Sequence, residues 1–169
     1  RKTIDGKPWH TTMMMPTWQK KPLEAFPWIG VYRAVDWGYF PDPAVCVWIA
    51  VLPNTRAIVF KERTWKRTLA DDVARQIKKE STGLHIIDTF CDPSMFIKTG
   101  VAPFSIAELF EQNGVPVTAC QNDRELFGYA IHQYLNTIID LEPKVQIVEP
   151  ACPQLVKTIP TLQMDKTDP

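Results

Sequence analysis

Hydrophobic and polar positions in the first 28 residues follow neither a helical nor a strand period: three consecutive methionines, four prolines and Trp9, Trp18 and Trp28 are scattered through them. Residues 1–28 are therefore expected to form an extended segment that wraps a domain or links it to one upstream. From Gly30 the pattern changes. Val31-Tyr-Arg-Ala-Val-Asp36 predicts a strand, ended by Trp37-Gly38 and the turn-forming Pro41-Asp-Pro43. Ala44 to Leu52 is apolar and rich in β-formers, and Ala57 to Trp65 alternates Ile58 and Phe60 with charged neighbours. The intervening Pro53-Asn-Thr-Arg56 predicts a hairpin turn, which makes these strands antiparallel neighbours.

The period then becomes helical. Thr68 to Ser81 predicts a helix with Thr68 as N-cap, Asp71 and Asp72 in the first turn, Leu69, Val73 and Ile77 along one face, and Gly83 as stop. His85 to Cys91 predicts a strand ended by Asp92-Pro93. Ser105 to Asn113 predicts a helix with a Ser105/Glu108 capping box and Gly114 as stop. A short strand from Val115 to Ala119, a helix from Asn122/Asp123 to about Ile139, a strand from Lys144 to Val148 and a helical turn from Cys152 to Ile159 complete the order. The expected fold is α/β: a mixed sheet of three antiparallel strands followed by parallel strands, flanked by helices. At 169 residues the chain suits one domain, spanning 29–169.

No stretch approaches the ~18 consecutive apolar residues of a membrane span, and no secretory apolar run opens the chain, so a soluble, non-secreted protein is expected. Cys46, Cys91, Cys120 and Cys152 are widely spaced and contain no C-x-x-C pair; they are expected to be reduced core residues. The three histidines are equally scattered, which disfavours a histidine-built metal site. Net charge is zero, but its distribution is uneven: residues 53–85 carry eight Lys/Arg against four acids, and residues 86–169 carry five against eleven. That asymmetry suits a protein that grips phosphate with one part and holds cations with another, as well as it suits ordinary solvated faces.

Two acids fall where backbone geometry makes them useful. Asp36 closes the first strand of the sheet and Asp92 closes the fourth. If the helical crossover places these strands side by side in parallel, both carboxylates emerge at one sheet edge, where open sheets bind ligands. Clustered carboxylates without His or Cys favour a hard divalent cation such as Mg²⁺ or Mn²⁺. Asp88 shares the face of Asp92 on its strand, and Asp42 reads as a turn residue.

The run Tyr32-Arg-Ala-Val-Asp-Trp-Gly-Tyr39 with Asp42-Pro-Ala44 resembles the first acidic motif of the nuclease domains of tailed-phage large terminases. The resemblance continues in Phe60-Lys-Glu-Arg63, Phe90-Cys-Asp-Pro-Ser94, Ala107-Glu-Leu-Phe-Glu-Gln-Asn-Gly-Val-Pro116, Asn122-Asp-Arg124 and Cys152-Pro-Gln-Leu155. It implies an RNase H-like fold and a two-metal endodeoxyribonuclease that cuts double-stranded DNA during genome packaging, with Asp36 bridging two ions and Asp92 binding one. It further implies an upstream ATPase domain, a portal protein and a small terminase subunit as partners, and action in the host cell cytoplasm. The family's third acid has no match before Pro169, so the domain is expected to be truncated at its C-terminus. Asp165 and Asp168 in the terminal run are substitutes only in principle.

Arg63, Lys66 and Arg67 close the third strand and are candidate contacts to DNA phosphates, against the alternative of a solvated face. Arg124 is a fourth candidate, against a structural salt bridge. The chain contains no G-x-x-x-x-G-K-[ST] phosphate loop, so it does not supply ATP hydrolysis itself. Two other functions compete: a non-catalytic module docking DNA or a portal ring, and another RNase H-like nuclease such as a resolvase.

Overall fold

The computed structural model describes residues 2–4, 7–9, 11–12, 29–98, 100, 102–121, 129–130, 133–134 and 136–159. Three short strands come first: β1 (Lys2–Ile4), β2 (Lys7–Trp9) and β3 (Thr11–Thr12). The predicted meander follows as β4 (Gly30–Asp36), β5 (Ala44–Val51) and β6 (Ala57–Trp65). Next come α1 (Ala70–Glu80), β7 (Ile86–Cys91), α2 (Ile106–Gln112) and β8 (Thr118–Ala119). The chain continues through β9 (Ile138–Ile139), β10 (Glu142–Pro143), β11 (Val145–Val148) and α3 (Pro153–Thr158).

Seven strands form one mixed sheet in the order β3-β11-β6-β5-β4-β7-β8. β4, β5 and β6 pair antiparallel, whereas β7 joins β4, β8 joins β7 and β11 joins β6 in parallel. The α1 crossover thus sets β7 beside β4, as the order of elements requires. This is the mixed-sheet, RNase H-like arrangement expected from the sequence.

Strand periodicity decides what each face holds. Val31, Arg33 and Val35 pair with Ala50, Trp48 and Cys46, so these six point to one face, where they are buried. α1 covers that face with Ala70, Val73, Ala74 and Ile77, and α2 adds Ala107 and Phe110. On the opposite face Val59 and Ile147 meet Val47, Ile49, Leu155 and Val156 around Cys152, so α3 covers only the β5-β6-β11 part of the sheet.

Several local expectations need correction. Leu69, not Thr68, is the N-cap of α1; it has extended backbone and supplies no side-chain cap. The Thr68 hydroxyl instead donates to the Lys66 carbonyl at 3.1 Å. Because Leu69 stands outside the helix, it leaves the Val73/Ile77 face and is 62% exposed. Most of the helix predicted from Asn122/Asp123 lies outside the described residues; at its expected end Ile138–Ile139 is instead a strand, paired antiparallel with Glu142–Pro143. Asp140 and Leu141 turn that hairpin with φ of 52° and 64°. The strand expected from Val115 is confined to Thr118–Ala119, with Val115 fully buried before it. The capping box of α2 is present, Ser105 N–H donating to Glu108 Oε2 at 2.6 Å and Glu108 N–H to Ser105 Oγ at 3.2 Å. All four cysteines are free; Cys46, Cys91 and Cys152 are buried and Cys120 half-buried.

Candidate active site

β4, β6, β7 and β8 run in one direction, so their C-terminal ends share one edge of the sheet. Asp36 is the last residue of β4, and Asp92 follows the last residue of β7. The parallel register pairs Val35 with Cys91, which sets Asp36 and Asp92 at the same level on neighbouring strands. Parallel neighbours lie ~4.8 Å apart, so two carboxylates here share one small volume. By alternation they stand on the face opposite α1 and α2, the face of Tyr32 and Phe90, whose rings stack with centroids 6.1 Å apart.

Asp92 is held from below. Its Oδ1 accepts the Ser94 N–H at 2.7 Å and caps the short 3₁₀ turn Pro93–Phe96. Asp36 and Asp92 line a cleft of about 810 Å³ together with Phe90, Cys120 and Gln121. Burial pushes the Asp36 carboxyl above its ordinary range, and the charges of Asp92 and then Asp42 push it in the same direction. Accumulated negative charge of this kind is relieved by a cation. Cys91, in the cleft wall, is pushed up to about 11 by burial, with Cys120 and Asp92 adding to the shift. The two hard carboxylate donors fit Mg²⁺ or Mn²⁺ as a partial ligand set. Among the described residues no group of three or more His, Cys, Asp or Glu could hold a metal. Asp165 and Asp168 lie outside the described residues.

The loop after Asp36 is tightly folded. A Cβ on Gly38 would lie 2.6 Å from the Asp42 carbonyl oxygen and 2.7 Å from that of Pro43, so only glycine fits. Trp37 anchors the loop edge-on to Phe110, centroids 6.2 Å apart. The far side of the loop is joined to the end of β6: Arg67 N–H donates to the Tyr39 carbonyl at 2.9 Å, and the Arg67 guanidinium lies 4.5 Å from the centre of the Phe40 ring. Arg67 has φ 52°, and Lys66 beside it is exposed. These two cations occupy the sheet edge of the acidic pair.

The remaining candidates are placed differently. Arg63 pairs with Cys46 in the sheet and so faces the helical layer, where its Nε donates to both Glu80 oxygens at 2.9 Å. Lys61 reaches the same carboxylate at 2.6 Å. Asp88 is engaged structurally, its Oδ1 accepting from Thr89 N–H at 2.7 Å and Thr118 Oγ1 at 3.0 Å. Arg124 lies outside the described residues.

Two residues escaped the reading of the sequence. Glu62 is 8% exposed and accepts the Gln154 and Leu155 N–H groups at 2.6 and 2.8 Å, capping an α3 that has no side-chain cap of its own. Arg33 is 5% exposed on the helical face, where alternation calls for an apolar side chain. Its Nε donates to Thr89 Oγ1 at 2.8 Å and its Nη1 to Ser81 Oγ at 3.1 Å. An arginine in the apolar phase of a strand was the available signal.

No protein-family model matches the chain, and no curated protein matches its sequence. Solved structures do match in fold. The large terminase nuclease domain from the bacteriophage SPP1, solved with bound Mn, aligns with TM-score 0.61 at 14% identity, covering 94% of this chain and 80% of that one. The P22 large terminase nuclease domain aligns with TM-score 0.65 at 10% identity, covering 92% and 80%. The chain has the fold of large terminase nuclease domains.

Proposed function

We propose that this chain is a metal-dependent endonuclease domain of the large terminase kind, cutting double-stranded DNA during viral genome packaging. The observation that carries the reading is the register of β4 and β7, which brings Asp36 and Asp92 to one level at one sheet edge, inside a cleft. The fold shared with large terminase nuclease domains supports it, as does the Mn bound in the SPP1 domain.

In this reading Asp36 and Asp92 are the metal ligands and catalytic residues, with Asp36 under the charges of Asp92 and Asp42. Bound Mg²⁺ or Mn²⁺ supplies Lewis acidity, neutralising the scissile phosphate and lowering the pKa of an attacking water. The chain's own part is to hold Asp36 beside Asp92 and Asp42, where a bound cation would relieve the repulsion that raises its carboxyl, and to fix Asp92 through the Ser94 N–H. Lys66 and Arg67 lie at the same edge and position the DNA backbone, while Arg63 contacts DNA only by releasing Glu80. Arg124 completes the proposed DNA contacts. An upstream ATPase domain, a portal protein and a small terminase subunit are the proposed partners, and the host cell cytoplasm the proposed place of action. Among the described residues no helix is long and apolar enough to cross a membrane.

The test is digestion of supercoiled plasmid with Mg²⁺, with Mn²⁺ and with EDTA. The reading expects sequence-tolerant, Mn²⁺-favoured cutting that is lost in Asp36→Ala and Asp92→Ala. Cutting in EDTA, or full activity of Asp36→Ala, rejects the mechanism. DNA binding without cutting under any condition supports a docking module instead.

A further inference from the structure

The helical face of the sheet holds a second polar cavity, separate from the acidic cleft. It measures about 320 Å³ and is lined by Arg33, Lys78, Ser81, Asp88, Thr89 and Gly114, among others. Arg33 is the unusual member, a cation only 5% exposed. A guanidinium carries five N–H donors, and burying one without matching acceptors is costly. Two neutral hydroxyls, Thr89 Oγ1 and Ser81 Oγ, take Nε and Nη1. Nη2 has no hydrogen-bond partner among the described residues. No carboxylate forms an ion pair with Arg33 among them either; Asp88, in the cavity wall, acts on it only by its charge, and its Oδ1 accepts from Thr89 N–H and Thr118 Oγ1.

Lys78 supplies a second cation. It is exposed, and it forms no ion pair among the described residues. Its Nζ stands only 2.7 Å from where a Cβ on Gly114 would be, so the absent side chain at Gly114 is what lets the ammonium lie over the cavity wall. Lys78 also lines an adjoining cleft with Lys79, a second exposed cation at the mouth, and with Arg75, which is paired with Asp72 at 2.6 Å.

We propose that this cavity binds a phosphate dianion, with the free Nη2 of Arg33 at its floor and the Lys78 ammonium at its rim. The N–H groups of Nη2 are open to phosphate oxygens, and the dianion meets two cations, Arg33 and Lys78, against the single carboxylate of Asp88. The phosphate is either free inorganic phosphate or the terminal group of a mononucleotide. The site lies across the sheet from Asp36 and Asp92 and is independent of DNA cutting.

The experiment is isothermal titration calorimetry on the full 169-residue chain in EDTA at constant ionic strength, with inorganic phosphate and a nucleoside monophosphate as separate ligands and chloride as control. Saturable one-site binding is expected, weakened about tenfold in Lys78→Ala through loss of a charge-assisted contact. Arg33→Lys, its fold checked by circular dichroism, is expected to weaken it at least as much. The tighter of the two ligands identifies the source of the phosphate. Heats equal to the chloride control, or an affinity unchanged by Lys78→Ala, overturn the proposal. Lys78 is a helix-surface residue, so that variant remains decisive if Arg33→Lys does not fold.

Discussion

Arg33 Nε donates to Thr89 Oγ1 at 2.8 Å, tying β4 to β7 three residues before each reaches its terminal acid, Asp36 in one case and Asp92 in the other. The bond lies within the fully buried layer, where Thr89 is 1% exposed. Removing the acceptor strands a buried cationic donor. Thr89→Val is therefore expected to cost roughly 1–3 kcal/mol. Arg33→Met removes the charge together with its burial cost and is expected to cost less. Urea denaturation of both variants checks the order, and a larger loss in Arg33→Met contradicts it.

The raised Asp36 carboxyl has a consequence for pH. An acid whose folded pKa lies above its unfolded value binds more protons when folded, so its contribution favours folding at low pH and declines as pH rises from the ordinary aspartate range through the folded pKa. In EDTA, Asp36→Asn is expected to be more stable than the natural protein at neutral pH. The gain should stay below about 1 kcal/mol, because the residue, although its carboxyl is partly desolvated, is open to solvent and screened. It should vanish below the ordinary aspartate range. Thermal melts across pH measure this, and a gain that grows on acidification contradicts an upward shift of the Asp36 carboxyl.

Gly38 links fold to site. Because an added Cβ would meet two backbone oxygens, Gly38→Ala is expected to displace the loop after Asp36 and cost about 1–3 kcal/mol. An unchanged melting midpoint would show that the loop yields without cost.

Lys66 and Arg67 share an edge with the acidic pair, whereas Arg63 points to the other face and is bound by Glu80. Charge reversal at Lys66 or Arg67 is expected to lower the salt dependence of DNA affinity by about one unit each. Reversal at Arg63 should alter it less. Binding isotherms at several salt concentrations separate the three positions.

The sequence made the sheet legible where side chains alternate and crossovers are short: β4 to β7, the helix between them and the edge position of Asp36 and Asp92 all follow from periodicity and chain direction. What it concealed was set by backbone geometry. Arg67 adopts a positive φ and turns the chain, which shifts the helix start from Thr68 to Leu69. Asp140 and Leu141 form a hairpin turn although leucine carries no turn signal, so apolar Ile138 and Ile139 read as a helix end. Arg63 stands near Lys66 and Arg67 in sequence, but alternation on β6 separates its face from the active edge.

The central claim is that Asp36 and Asp92 jointly hold one divalent ion. Anomalous diffraction from crystals of this chain soaked in Mn²⁺ tests it directly. The account predicts a peak bridging the two carboxylates, with an oxygen from each at ~2.1–2.2 Å. A peak bound elsewhere, or carboxylates more than about 10 Å apart with no density between them, contradicts it.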